Sequence, residues 1–96
     1  MTRRLRWTKR ALRRLEAIGD YIAKDSPKAA ARVTERIRTT THILIAHPAI
    51  GRVGRIAGTR ELVMADLPYI IPYRVTETCV EIISNIHTSQ RWPEKL

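Results

Sequence analysis

Hydrophobic and polar residues alternate most clearly in the last third of the chain. Three runs there, residues 60–64, 69–76 and 79–87, are rich in Val, Ile, Tyr and Thr, which are residues that favour strands. Turn-forming residues separate the runs. The alternation therefore predicts a three-stranded antiparallel meander, with a two-residue loop at Glu77 and Thr78 between its last two strands.

This loop fixes the register of the last two strands. Thr76 then lies opposite Cys79, and every later pair, such as Arg74 with Glu81, follows by counting. One face, expected to form the core, carries Tyr69, Ile71, Tyr73 and Val75 with Val80, Ile82, Ser84 and Ile86. The opposite face carries Ile70, Pro72 and Arg74 with Glu81, Ile83, Asn85 and His87.

Upstream, the hydrophobic period changes from two residues to three or four. Thr8 is a favoured helix cap, and the apolar residues after it predict an amphipathic helix of about four turns. Ser26 and Pro27 suit the start of a second helix, expected over residues 27–46 and closed by Pro48. The two helices should form a hairpin.

Three other segments complete the expected fold. Leu5 and Trp7 alternate with arginines and predict a short first strand that pairs with the C-terminal sheet. Residues 48–58 hold three glycines and two arginines and predict a mobile, basic loop. Trp92 needs an apolar contact and should fold back onto the body, with residues 94–96 loose. The predicted class is α+β, in the order β-α-α-β-β-β, with the helices on one face of the sheet.

Size and composition predict one small soluble domain. A chain of 96 residues, 44% of them hydrophobic, suits a single globular domain over residues 1–96. The single cysteine, Cys79, excludes an internal disulfide. Together with the lack of a secretory signal or a membrane-length apolar run, it predicts a cytoplasmic protein with no membrane association.

The chain is strongly basic. Its net charge is +9, from 18 basic and 9 acidic residues, and seven basic side chains without an acidic one lie within residues 1–14. Such a field favours polyanions, either nucleic acid or an acidic protein. A solvated surface that only keeps the protein soluble is the alternative.

Sequence motifs for several kinds of chemistry are missing. The three histidines lie in different predicted elements, which argues against a zinc site, and the glycine-containing loop lacks the Walker lysine. We therefore expect neither a metal nor a cofactor. Metal-free RNA cleavage is the enzymatic alternative, with His87 as acid or base and Arg74 and Arg91 as phosphate clamps.

Two features weaken the nuclease interpretation. Arg74 opposite Glu81 is most simply a cross-strand ion pair. Apolar side chains on an open sheet face fit a docked partner peptide better than an RNA cleft. The predicted open face carries three of them: Ile70, Pro72 and Ile83.

An ordered set of segments resembles the RelE/ParE superfamily of toxins from type II toxin–antitoxin systems. The segments are YIAKDSPKAA at the helical hairpin, HP before the glycine loop, GTRELV, PYIIPYRV, VEII, and IH followed by QRWP. The resemblance spans nearly the whole chain and is strongest to the ParE branch.

The resemblance implies a toxin that an acidic antitoxin of ParD or RelB type holds inactive, and the antitoxin also binds operator DNA. ParE-type toxins poison DNA gyrase, whereas RelE-type toxins cleave mRNA in the ribosomal A site. Basic residues across the sheet support cleavage in the RelE branch, but here Ile70 and Pro72 occupy the sheet centre. We therefore expect gyrase as the target, with ribosome-dependent cleavage and plain nucleic-acid binding as open alternatives.

This interpretation assigns three groups of candidate residues. The antitoxin should contact Arg10, Arg13, Arg14, Ile70, Pro72 and Ile83. The target should contact the basic residues of the loop and the next strand, Arg52, Arg55 and Arg60. A nuclease would use His87, Arg74 and Arg91.

Overall fold

A computed structural model describes residues 2–92. In chain order the elements are β1 (Arg4–Trp7), α1 (Lys9–Ala23), α2 (Pro27–Thr40), α3 (Ile43–Ala46), β2 (Arg52–Val53), β3 (Arg60–Val63), β4 (Tyr69–Val75), β5 (Cys79–Ile82) and β6 (Ile86–His87). The sheet order is β1-β5-β4-β3-β2, and β6 also pairs with β4. The helices pack on one face, so the predicted α+β class is confirmed.

Both long helices begin where the sequence predicts. The Thr8 hydroxyl accepts a hydrogen bond from the Ala11 N–H at 3.1 Å, and the Ser26 hydroxyl accepts one from the Ala29 N–H at 3.1 Å. Pro27 occupies the first turn of α2, where its missing N–H costs nothing. Each cap satisfies a donor that a helix start otherwise leaves without a partner.

The second predicted helix is interrupted before its expected end. Its α2 portion stops at Thr40 and α3 starts at Ile43, so the prediction of one helix over residues 27–46 is wrong. The hydroxyls of three consecutive threonines donate to carbonyls three or four residues back, at 2.7–3.0 Å for the shortest bond of each. Such bonds compete with the helical backbone pattern and favour bending. The threonines are Thr39, Thr40 and Thr41.

The core lies between the helices and the sheet. Tyr69, Ile71 and Tyr73 of β4 lie on its helix side, as predicted, and Leu5 and Trp7 of β1 pack against it. β1 runs parallel to β5, which confirms that the first strand joins the C-terminal sheet. The other buried members are Ala11, Leu15, Ile37, Leu44, Met64, Val80 and Ile82.

The segment expected to be a mobile loop, residues 48–58, contains ordered structure. Its short strand β2 pairs antiparallel with β3. The buried Tyr73 hydroxyl donates to the Pro48 carbonyl at 2.7 Å and accepts from the Gly51 N–H at 2.9 Å. A Cβ at Gly51 would lie 2.6 Å from the Tyr73 ring, so this close approach requires glycine. The tyrosine ties the segment to the sheet.

The predicted register is confirmed for β4 and β5. Tyr73 pairs with Ile82, and Arg74 pairs with Glu81. At the turn, the Thr76 N–H donates to the Cys79 carbonyl at 2.8 Å.

Beyond Ile82 the register changes, and the prediction of one strand over residues 79–87 is wrong. The β5 register would place Ile86 opposite Tyr69, but in β6 Tyr69 pairs with His87 and Ile70 with Ile86. One extra residue therefore lies between the two strands. Because directly paired residues share a face, His87 joins Tyr69 on the helix side and Ile86 moves to the opposite face.

A proline in the central strand accounts for this break. The Ile83 N–H donates to the Pro72 carbonyl at 2.9 Å, but Pro72 has no N–H to return the bond. The Ile83 carbonyl instead accepts from the Thr8 hydroxyl at 3.2 Å. The ladder is thus interrupted opposite Pro72, and the cap of α1 satisfies the freed carbonyl.

Candidate functional site

His87 lies on the helix side of the sheet. Its ring packs edge-on against Tyr69, with the ring centroids 5.3 Å apart. Its Nδ1 accepts a hydrogen bond from the Ser89 N–H at 3.1 Å, and the Ser89 hydroxyl lies 2.7 Å from the same atom. The prediction that His87 shares the open face with Arg74 is wrong, because the extra residue before β6 turns it over.

Arg74 lies on the opposite face. Its guanidinium is 3.6 Å from the Glu81 carboxylate, and Arg6 also pairs with this carboxylate. His87 is opposite Tyr69, five positions before Arg74 on β4, which corresponds to about 17 Å along the strand. The structure therefore does not bring His87 and Arg74 together. The third nuclease candidate, Arg91, is exposed in the segment after β6.

Glu61 lies on the same face of the sheet as Arg74, opposite Pro72, and its carboxylate is buried. Glu61 is 2% exposed, with Arg52 Nη2 at 2.7 Å and Arg55 Nε at 3.4 Å, and it accepts the Arg55 N–H at 2.9 Å. Burial raises the pKa of Glu61, but these hydrogen bonds and the two guanidinium charges outweigh burial and hold its pKa below the ordinary value.

The three arginines predicted to contact the target therefore also make contacts within the chain. Arg52 and Arg55 pair with Glu61. Arg60 Nη1 donates to the Gly51 carbonyl at 2.8 Å. The Arg55 guanidinium also stacks over the Trp92 ring, 3.8 Å from its centroid, so Trp92 folds back onto the body as predicted, and its apolar contact stays a prediction. The expectation for residues 94–96 lies outside the described residues.

The apolar strip expected on the open face is not exposed. Ile70 and Ile83 are 7% and 6% exposed, and Pro72 is below 2%, so their predicted exposure is wrong. β4 is a central strand, and Ile70 has Val63 on one side and Ile86 on the other. Neighbours on both sides bury the strip, and its contact with an antitoxin stays a prediction.

Large apolar side chains are exposed on α1 and also around β2 and β3, where Val53 is 79% exposed. On α1, Tyr21 is 74% and Leu12 47% exposed. The arginines predicted to contact an antitoxin, Arg10, Arg13 and Arg14, are exposed on the same helix. At 3.6 residues per turn, Tyr21 lies on the same side of α1 as Arg10 and Arg14, whereas Leu12 lies on the opposite side.

A cleft of about 480 Å³ opens between α1 and the end of the sheet. The helix contributes Arg14, Ala17, Ile18 and Tyr21, and the sheet and the following turn contribute Tyr69, Asn85, His87, Ser89 and Gln90. The sequence did not reveal this cleft, because simple counting placed Asn85 and His87 on the other face. The proline opposite Ile83 was the available signal for the register change.

Two kinds of feature are absent from the described part of the chain. Between residues 2 and 92, no group of three or more His, Cys, Asp or Glu side chains is arranged to hold a metal ion. No helix in the same range is long and apolar enough to cross a membrane.

The fold and its surfaces define a class: a small basic α+β domain with a helical hairpin on one face of a mixed sheet. The family model for the ParE toxin of the type II toxin–antitoxin system parDE matches residues 5–92. The chain therefore belongs to the ParE toxin family.

Similar proteins agree with this assignment. Y4kP of Sinorhizobium fredii, provisionally named a toxin, is 58% identical over 94 residues, which cover 98% of this chain and 97% of that protein. Toxin RelE2 of Caulobacter vibrioides is 42% identical over 84 residues, which cover 88% and 93%. A solved structure of the chromosomal ParDE system from P. aeruginosa matches with a TM-score of 0.81 and 27% identity, covering 90% of this chain and 96% of that one.

Proposed function

We propose that this ParE-family toxin acts by binding DNA gyrase rather than by cleaving RNA. The observation that carries the proposal is the separation of His87 from Arg74, which lie on opposite faces of the sheet. Metal-free RNA cleavage needs a proton-transfer group and phosphate-binding cations around one phosphate. The ParE family match supports the gyrase branch.

The hydrogen bonding of both residues supports the same proposal. His87 Nδ1 is already an acceptor for Ser89, and Arg74 lies beside the Glu81 carboxylate, which reduces the net positive charge available for a phosphate. Ribosome-dependent mRNA cleavage is the second candidate function, because RelE2 is 42% identical.

We also propose that an acidic antitoxin of ParD type binds α1 and neutralises the toxin in the cytoplasm, and that operator DNA is contacted through this antitoxin. Arg13 and Arg14 follow Arg10 by three and four residues, so each lies next to Arg10 on the surface of the helix. Tyr21, on the same side of α1 as Arg10 and Arg14, adds exposed apolar area. A flexible acidic segment gains both charge pairing and apolar burial on such a surface.

Growth arrest by variants separates the two candidate functions. Cells that produce His87→Gln or Arg74→Gln should arrest as completely as cells that produce the unchanged chain, because gyrase binding needs neither proton transfer nor phosphate clamping by these residues. Circular dichroism of each purified variant checks its folding. Loss of arrest in a folded variant, with mRNA cleavage retained only by the unchanged chain, would support the ribonuclease and reject this proposal.

A further inference from the structure

The cleft between α1 and β6 contains an acceptor without a partner. Asn85 is 1% exposed, and its Nδ2 donates to the Ala11 carbonyl at 3.0 Å. Because a carbonyl only accepts, this bond fixes the orientation of the amide. Its Oδ1 is buried without a hydrogen-bond partner among the described residues. Buried polar atoms are rarely left in this state, so the Asn85 oxygen points to a missing donor.

Donors dominate the rest of the cleft. The Ser89 N–H bonds to His87 Nδ1, so in the neutral ring the hydrogen is on Nε2, which is then a donor. Gln90 uses its Oε1 to accept the His87 N–H at 2.9 Å, which leaves its amide hydrogens for another group. Arg14 adds a positive charge, and the described lining residues include no carboxylate. The cleft therefore favours an anion that also carries a neutral N–H group.

An aromatic ring stands at the rim. Tyr21 is 74% exposed, and the Lys24 amine lies 5.9 Å from its ring centroid. Exposed tyrosines of this kind are platforms on which nucleobases stack. A volume of about 480 Å³ lies within the range of small-molecule sites, about 300–1,000 Å³.

From these contacts we infer that the cleft binds a nucleoside 5′-monophosphate, with the phosphate at Arg14 and the base stacked on Tyr21. Asn85 Oδ1 is buried beneath the cleft surface, so a base N–H donates to it once the lining side chains move apart. The positive charge of Arg14 disfavours a cationic donor, whereas the amino group of a base is neutral. The bound nucleotide has two possible sources: the free molecule and one nucleotide of a single-stranded nucleic acid. Because the cleft also contains His87, cleavage of a bound oligonucleotide would contradict the gyrase proposal, whereas binding without cleavage is compatible with it.

Titration calorimetry with matched ligands tests the inference on the unchanged chain. AMP should bind saturably, and ribose 5-phosphate, which lacks the base, about tenfold more weakly. Purine riboside 5′-monophosphate differs from AMP only by the missing amino group, so its affinity should be about three- to tenfold lower. Inorganic phosphate should bind most weakly. Equal binding of AMP and ribose 5-phosphate, or no saturable AMP binding at millimolar concentration, would overturn the inference.

Substitutions of the lining residues test which side chain makes each contact with AMP. Asn85→Leu should remove the difference between AMP and purine riboside 5′-monophosphate. Because Asn85 also holds the Ala11 carbonyl, the exposed Tyr21→Ala variant supplies a second test and should weaken AMP at least fivefold. Arg14→Gln should weaken AMP, whereas Arg32→Gln, with the same charge change on α2, should leave its affinity within about twofold. Equal losses in the two arginine variants would indicate a general charge effect and overturn the site.

A last comparison identifies the source of the nucleotide. If a single-stranded oligoadenylate of five nucleotides binds far more tightly than AMP and the Tyr21→Ala change weakens it, the cleft receives a unit of nucleic acid. Comparable affinities support a free nucleotide. Binding of an acidic peptide without any binding of AMP would instead assign the cleft to a protein partner and overturn the inference.

Discussion

The buried carboxylate of Glu61 pairs with two arginines of the segment between α3 and β3. Its carboxylate is 2% exposed, yet Arg52 and Arg55, which surround it, are 52% and 47% exposed. Two partly hydrated guanidinium groups and a backbone N–H compensate the loss of water around the carboxylate. Arg55 in turn contacts Trp92. The residue therefore connects β2, β3 and the C-terminal segment.

Replacement of Glu61 should destabilise the fold in a pH-dependent way. At pH 7, Glu61→Gln should lower the free energy of unfolding by about 2 kcal/mol, because both arginines lose a buried partner. The folded-state pKa of Glu61 is below its ordinary value of 4.5, so its stabilising contribution is present above pH 4.5 and is lost as the pH falls through the folded pKa.

Urea unfolding at pH 7 and at pH 3 measures this effect. The gap between the unchanged chain and Glu61→Gln should narrow at the lower pH. Glu16→Gln, which removes an exposed carboxylate from α1, serves as the control and should change little at pH 7. A gap that is equal at both pH values would contradict the account of Glu61.

Two tyrosines of β4 provide a matched pair. Tyr73→Phe removes the hydroxyl that bonds both Pro48 and Gly51, so it should cost about 1–3 kcal/mol of unfolding free energy. Burial raises the pKa of the Tyr69 hydroxyl and no hydrogen bond from the described residues offsets it, so Tyr69→Phe should cost much less. Thermal unfolding of both variants compares them, and equal losses would mean that the hydroxyl does not hold the segment after α3.

At the scale of elements, the sequence predicted both helix starts and the β4–β5 register, because these features depend on local caps and a short turn. It did not predict the register change before β6. That change depends on Pro72 and Thr8, which are distant in sequence and both act on the Ile83 backbone. The position of His87, and with it the cleft, follows from this non-local arrangement.

Thr8 therefore has two roles, and its replacement should cost more than loss of a cap alone. Thr8→Ala removes the cap of α1 and the donor to the Ile83 carbonyl, whereas Ser26→Ala removes only the cap of α2. We expect losses of about 2 and about 1 kcal/mol respectively. Thr8→Ser keeps the hydroxyl and should restore most of the stability. Chemical denaturation compares the three, and equal losses for the two alanine variants would contradict the second role.

At the scale of the whole molecule, the excess of positive charge is largest within residues 1–14, and Arg10, Arg13 and Arg14 of that segment are exposed on α1. Reversal of Arg10, Arg13 and Arg14 to Glu should weaken binding of the acidic antitoxin by at least about 100-fold, because repulsion replaces three attractive contacts. Reversal of Lys28, Arg32 and Arg38 on α2 makes the same charge change away from that surface and is the control. Calorimetry with the cognate antitoxin measures both, and equal losses would reject α1 as the preferred site.

The central claim is that the folded chain acts on gyrase without nuclease chemistry, and a plasmid cleavage assay tests it most directly. Purified chain at micromolar concentration is incubated with DNA gyrase, ATP and supercoiled plasmid, and linear DNA is measured after the protein is digested. The account predicts that linear plasmid accumulates only when gyrase is present, and equally with His87→Gln. Normal supercoiling with no linear DNA, at a concentration that saturates antitoxin binding, would contradict it.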